Sequence, residues 1–232
     1  MRVFLVAHRV AEDLVPGIRA DVEAQGQQCP CREQAVGRET VRDDRSRRAA
    51  VRIASRRGDG GDRRAGRKFE GLGGQDILSG DLGNDQVFGG AGHDRIWGRR
   101  GDDLLYGGEG HDQLNGGADQ DSLWGEAGND QLCGNLGDDW LNGGLGNDTL
   151  TGGEGRDTFV LGIGLGNDLI RDFHWGEDSI GLAEGLSFDQ LSLRQQHSQT
   201  WIVQEEGELL ARLDGVDATL LTNQAVTTFV LM

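Results

Sequence analysis

The sequence predicts an all-β solenoid of parallel strands, and three observations carry that prediction. An aspartate falls on every ninth residue ten times running, at Asp76, Asp85, Asp94, Asp103, Asp112, Asp121, Asp130, Asp139, Asp148 and Asp157. A glycine stands five residues before each, from Gly71 to Gly152, and an apolar residue stands two after, the series Leu78, Val87, Ile96, Leu105, Leu114, Leu123, Leu132, Leu141, Leu150 and Phe159. A further glycine precedes the aspartate by two in nine of the ten units, with Asp119 the exception. The unit reads G-(G)-x-G-x-D-x-U-x, and self-similarity at a fixed short period marks a solenoid.

The first six positions of the unit are glycine-rich and end on a carboxylate, which suits a tight turn with exposed carbonyls and residues at positive φ. The last three place one apolar side chain between two that point the other way, a minimal strand. Two units make one coil of eighteen residues. Odd units then build one parallel sheet and even units a second, and the apolar series meets between them. One apolar side chain per unit is a thin core to set against the entropy of ordering the backbone. Residues 71–160 also hold 17 acidic and 4 basic side chains, a net of −13. Stacking brings each aspartate beside the one eighteen residues on, so without a counter-ion the coil opens. Carboxylates and backbone carbonyls, with neither cysteine nor regular histidine in the frame, select a hard cation, and a flexible set of many carbonyls favours Ca²⁺ over Mg²⁺.

The runs Gly89-Gly90-Ala91-Gly92-His93-Asp94-Arg95-Ile96-Trp97 and Gly143-Gly144-Leu145-Gly146-Asn147-Asp148-Thr149-Leu150-Thr151 resemble the haemolysin-type, or RTX, calcium-binding nonapeptide. The resemblance covers 71–160 without a gap. It implies a right-handed parallel β-roll with Ca²⁺ held between turns on each side, about eight ions for ten units. By the same resemblance the ligands are the ten aspartates, joined by Asp168 of a degenerate turn, and the backbone carbonyls of Gly74, Gly83, Gly92, Gly101, Gly110, Gly128, Gly137, Gly146 and Gly155.

Departures from the frame point to local differences. Leu72, Asp81, Arg99, Glu126 and Asn135 replace the second glycine of the pair, which predicts looser turns there. Arg99 and Arg100, with Asp119, place cations beside the middle sites and weaken them as metal sites. His93 and His111, eighteen apart, read as solvated turn residues, with a transition-metal pair as the alternative. Phe88, Tyr106 and Trp124 share the same spacing and form an outward ladder at about 4.8 Å on the even sheet, flanked by Leu104 and Trp140. Such a strip is either covered by the head or tail of the chain or open to a surface polysaccharide or a second copy.

The coil continues past residue 160 in two imperfect turns, Gly166-Asn167-Asp168-Leu169-Ile170 and Gly176-Glu177-Asp178-Ser179-Ile180, offset by two residues and then by one. Alternating runs at 190–194, 200–204, 209–213 and 227–231 predict a small antiparallel cap. The stretches Asp157-Thr158-Phe159-Val160-Leu161, Ile170-Arg171-Asp172-Phe173 and 182–193 resemble the region that follows RTX repeats in secreted bacterial proteins. That likeness implies an uncleaved signal read by a type I ABC exporter. Residues 161–232 thus form a third region, of degenerate repeats and cap.

Residues 1–70 are a different material, with 16 basic and 11 acidic side chains, and are expected to be irregular or disordered. They lack aromatic interleaving for nucleic acid, a Sec signal peptide and any membrane span. Arg38, Arg47 and Arg56 stand nine apart, as shifted-frame glycine codons would place them. Three cysteines, Cys29, Cys31 and Cys133, predict neither a zinc site nor a disulfide framework.

The chain contains no HExxH helix, G-x-S-x-G elbow, P-loop or dinucleotide-binding fingerprint. The regular spacing of its carboxylates assigns them to metal turns, not to acid–base catalysis. The reading is a secreted, extracellular calcium-binding module and not an enzyme. The alternative is the C-terminal part of a larger RTX protease, lipase, epimerase or pore-former.

Overall fold

The computed structural model describes residues 51–53, 66–223 and 229–231. The arginine series and the cysteines Cys29 and Cys31 lie outside them.

In chain order the coil begins with β1 (Val51–Ile53), β2 (Lys68–Glu70), β3 (Ile77–Leu82), β4 (Gln86–Ala91), β5 (Arg95–Arg100), β6 (Leu104–Glu109) and β7 (Gln113–Ala118). It continues with β8 (Ser122–Ala127), β9 (Gln131–Leu136), β10 (Trp140–Asn142), β11 (Thr149–Glu154), β12 (Thr158–Leu161), β13 (Asp168–Ile170) and β14 (Ser179–Leu182). Odd-numbered strands from β1 to β13 lie side by side in one sheet and even-numbered strands from β2 to β14 in the other, all parallel. Pairing within the array is at eighteen residues, as in Leu105 opposite Leu123 and Leu114 opposite Leu132. The expected alternation of units between two sheets is therefore the architecture observed. The coil also extends two strands before the array: Val51 of β1 pairs with Ile77, and Phe69 of β2 pairs with Val87 and packs against the core.

The apolar series forms that core as a double file. From Val87 to Phe159 every member is 0% exposed, and Leu78 at the end is 2% exposed. Between the sheets there is room for one side chain per unit, so every other inward position is a glycine. Gly128 shows how tight the stack is: a Cβ there would stand 1.4 Å from the carbonyl oxygen of Gly110, one coil back, and its φ of +146° lies where side chains are rarely found.

Four of the five substituted turns keep the conformation of the glycine turns, whereas Leu72, in the first unit, is not at positive φ and is 76% exposed. Asp81, Arg99, Glu126 and Asn135 have φ of 79°, 90°, 73° and 83°, and Asp119 has 84°. For Asp81, Arg99, Glu126 and Asn135 this corrects the expectation of looser turns: neighbouring coils fix the backbone, and the residue bears the strain.

Past the array the pairing offset widens as the sequence predicts. Thr149 pairs with Leu169, twenty residues on, and Thr158 with Ser179, twenty-one on. Three strands follow, β15 (Leu191–Gln196), β16 (Gln199–Gln204) and β17 (Leu209–Asp214), then helix α1 (Ala218–Asn223) and β18 (Phe229–Leu231). β15, β16 and β17 pair antiparallel, as expected. β18 does not, for it pairs parallel to β14. A parallel neighbour needs a crossover, and the long connection through β15–β17 and α1 supplies it. β17 also joins β13 in parallel, so the cap extends the odd sheet. Cys133 is buried and disulfide-bonded, its partner outside the described residues. An odd cysteine count excludes complete pairing but allows a single bridge.

Truncating the file at its centre opens a cavity with no side chain able to collapse into it. Leu123→Ala is expected to cost about 2–5 kcal/mol, against less than about 0.5 kcal/mol for Ser122→Ala on the outer face. Thermal melts in one calcium-containing buffer measure both, and equal shifts would contradict the two-sheet packing.

Candidate metal centres

Each array aspartate ends a turn and enters a strand, which buries its carboxylate between coils. Asp85, Asp94, Asp103 and Asp112 are 0% exposed. Two columns result, one from Asp76 through Asp94, Asp112, Asp130 and Asp148 to Asp168, the other from Asp85 through Asp103, Asp121, Asp139 and Asp157 to Asp178. Within each column the backbone N–H of one aspartate donates to Oδ1 of the aspartate one coil on. The lengths run from 2.6 Å for Asp85 to Asp103 to 3.0 Å for Asp157 to Asp178. Arg67 N–H begins the second column by donating to Asp85 at 2.8 Å.

The second oxygen of these carboxylates has no such partner. Oδ2 of nine aspartates, at every ninth position from Asp85 to Asp157, is buried without a hydrogen bond. A buried, unpaired anionic oxygen is costly, and its surroundings are oxygen-rich. A Cβ built on Gly107 would stand 2.6 Å from Asp112 Oδ2 and 2.6 Å from the carbonyl oxygen of Gly125. Carboxylate and carbonyl converge on the same point, and only a glycine leaves it free. The same pairing of an aspartate Oδ2 with a glycine carbonyl one coil on recurs at Gly71, Gly80, Gly89, Gly98, Gly125 and Gly134. Hard oxygen donors around an unbalanced negative charge fit a calcium ion. No cluster of three or more histidine, cysteine or carboxylate side chains occurs among the described residues, so a cation there would draw on backbone carbonyls for further ligands.

The carbonyls named from the sequence occupy a different row. Gly74, Gly92, Gly110 and Gly128 each press a carbonyl oxygen against the corresponding glycine of the next coil, and Asp119 and Gly137 do the same in the other column. The carbonyls beside Oδ2 belong instead to glycines at the strand ends, such as Gly98 and Gly125. Their regular place five residues before each aspartate was the signal available. Asp178 also joins the structure's columns, but both of its oxygens accept N–H groups, from Asp157 and from His174. Asp172 accepts from Gly152 and Gly153 where β13 has ended.

A second ladder runs through the residues just before the aspartates. His111 N–H donates to His93 Nδ1 and Asn129 N–H to His111 Nδ1, each at 2.7 Å. Asn147 donates to Asn129, and Asn167 to Asn147, in the same sense. These side chains bond the later coil to the earlier, and the aspartates bond the earlier to the later. The histidines therefore staple turns. Their stacked rings, 5.1 Å apart, use Nδ1 as acceptor. Arg99 lies over the preceding coil, with Nε 2.7 Å from Ser79 Oγ and 3.5 Å from Asp81 Oδ1, and its charge is met there.

The aromatic ladder stands on the even sheet with rings 4.7 Å apart, tilted by 2° between Phe88 and Tyr106 and by 7° between Tyr106 and Trp124. Lys68 covers the end face of Phe88 at 4.8 Å. The facing ring surfaces are spent on one another, while the far face of Trp124 adjoins Asn142 and half-buried edges remain.

Burial governs the carboxylate chemistry. It pushes Asp121 up to about 9, Asp157 to about 8, Asp103, Asp130, Asp139 and Asp168 to about 7 and Asp112 to about 6, against the pull of the donated N–H groups. Neighbouring carboxylates add to the rise at Asp121 and Asp157. Asp85, Asp94 and Asp148 move in the same direction, burial again the largest cause. An unfolded chain releases these protons near pH 4 while the coil holds them. The metal-free coil is thus most stable below about pH 4 and loses stability as pH rises through 6 to 9. Circular dichroism of calcium-free protein is expected to show more β-structure at pH 5 than at pH 8. Calcium, which displaces the protons, reverses that order, and a β signal rising with pH in its absence would contradict the burial of the carboxylates.

The RTX calcium-binding nonapeptide repeat family matches this chain in four copies, over residues 70–105, 97–132, 106–141 and 134–170. None of the curated proteins matches it. Among solved structures, the extracellular lipase LipA from Serratia marcescens is 21% identical with a TM-score of 0.38, over 68% of this chain and 40% of the lipase. The AlgE6R3 subunit of the mannuronan C5-epimerase from Azotobacter vinelandii is 28% identical with a TM-score of 0.41, over 52% of this chain and 78% of that subunit. The present chain spans less than half the length of the lipase. The four copies together cover residues 70–170, and over that stretch the chain is similar to the RTX calcium-binding nonapeptide repeats.

Proposed function

We propose that the chain is an exported module whose repeats fold when they bind Ca²⁺ outside the cell. The observation that carries this reading is the file of buried aspartate Oδ2 atoms without partners, each facing a glycine carbonyl. The ligands in this reading are Asp76 to Asp157 with Asp168, completed by carbonyls of the turn and strand-end glycines. Where calcium is scarce, the carboxylates repel and the chain stays open enough to thread a narrow type I exporter. At the higher calcium outside, with affinities of about 10⁻⁴–10⁻³ M for extracellular sites, binding free energy becomes folding free energy. Residues 71–160 form the metal-dependent roll, and 161–232 close its end and carry the export signal. No helix of the described residues is long and apolar enough to cross a membrane.

Asp139→Ala and Asp148→Ala each remove an orphaned Oδ2 and the acceptor that holds the preceding coil. Each is expected to shift the calcium midpoint of folding upward several-fold and to lower the number of ions bound, as read by isothermal titration calorimetry. Gln131→Ala, on the outer face of β9, should leave both quantities unchanged. Equal behaviour of all three variants would remove the ligand assignment.

A further inference from the structure

Equivalent outward rows on the two sheets differ in their contact with water. On the even sheet Phe88, Tyr106, Trp124 and Asn142 follow one another across the strands, and all are half-buried. The matching row of the odd sheet is Ser79, Trp97, Asn115, Cys133 and Thr151. Its members alternate along their strands with the core residues Leu78, Ile96, Leu114, Leu132 and Leu150, so they point away from the core. A bare sheet face would leave them in solvent. Instead Ser79 is 6% exposed, Trp97 8%, Cys133 1% and Thr151 8%, with Asn115 half-buried among them. Trp97 Nε1 and Thr151 Oγ1 are sealed from water without a hydrogen bond. Arg99 lies over Ser79 at one end of the row, and the burial continues to Thr151 on β11.

Cys133 identifies what covers the face. Its sulfur is in a disulfide, and the chain has two other cysteines, Cys29 and Cys31, on either side of Pro30. The bond therefore runs to one of that pair. The intervening chain is long enough. β1 lies four strands from β9 in the odd sheet, about 19 Å at the usual strand spacing. Cys31 precedes Val51 by twenty residues, which span roughly 60 Å when extended. Charge favours the same contact: residues 1–70 hold 16 basic and 11 acidic side chains, and residues 71–160 hold 4 basic and 17 acidic.

We infer that the segment through Cys29-Pro30-Cys31 docks on the outer face of the odd sheet, over Trp97 to Thr151, held there by a disulfide to Cys133 that reduction opens. Forming the bond takes two electrons and two protons from two thiols. A low-molecular-weight disulfide accepts them and leaves as two small thiols, and a dithiol reverses the exchange. In a reducing compartment both sulfurs are thiols and the segment is untethered. Outside it, the bond closes a loop of about a hundred residues, which lowers the entropy of the open chain and so favours the coil.

The test uses the full chain in calcium, equilibrated with oxidised glutathione, its free thiols then blocked with iodoacetamide before tryptic digestion without reductant. Mass spectrometry is expected to find the peptide Ala20–Arg32, which holds Cys29 and Cys31, joined to Gly101–Arg156, which holds Cys133. In the double variant Cys29→Ser/Cys31→Ser, that joined peptide should be absent. Hydroxyl-radical footprinting of the parent, with and without dithiothreitol, reads the cover itself. Oxidation of Trp97 should rise several-fold on reduction, while Trp124 on the even sheet reacts equally in both states. Circular dichroism before each exposure separates loss of the coil from release of the segment, and the peptide map of the oxidised parent depends on neither. Cys133 found alkylated in the oxidised parent, a Cys133 bridge between two copies, or a Trp97 rate unchanged by reduction would each overturn the assignment.

Discussion

The carboxylate of the repeated aspartate, buried between two coils with one oxygen bonded and the other bare, is the group on which the rest of the structure depends. Its Oδ1 fixes the backbone of the preceding coil by accepting an N–H at 2.6–3.0 Å. Its Oδ2 is orphaned because the strand-end glycine that flanks it has no side chain to fill the space. Deep burial of so many like groups cannot be balanced by the backbone alone, which is why their protons are held so far above the usual carboxylate range. A hard cation resolves both faults at once, supplying the missing partner and the missing charge.

Everything else in the array is consistent with a coil held from its turns and not from its core. The core is a double file with one residue per unit, uniformly buried but thin. Around it, two ladders of opposite sense join each coil to its neighbours, one through the aspartates and one through residues such as His93, His111 and Asn129. Non-glycine residues at Asp81, Arg99, Glu126 and Asn135 adopt the left-handed turn because the coils above and below define it.

Periodicity made much of this legible before any coordinates. A nine-residue period with an apolar residue at fixed phase leaves few alternatives to two parallel sheets, and the widening offset in the turns of Asp168 and Asp178 predicts the lengthened pairing seen there. What the sequence could not convey was set by contacts between coils. The position of the carbonyl beside each Oδ2 depends on how glycines stack eighteen residues apart, and the frame contains glycine at both candidate places. The role of His93 was hidden because an imidazole that accepts a backbone N–H is indistinguishable in sequence from a solvated one. β18 read as antiparallel because its alternation carries no direction, and only the crossover through α1 decides it.

The central claim is that cation binding at the bare oxygens is what closes the coil. Far-UV circular dichroism of residues 71–232 at neutral pH, titrated with Ca²⁺ and separately with Mg²⁺, tests it most directly. The account predicts a cooperative change from coil to β-structure at millimolar Ca²⁺ or below, and none with Mg²⁺ at the same concentrations. A segment already β-structured in chelator, or one that stays unfolded in calcium, would contradict it.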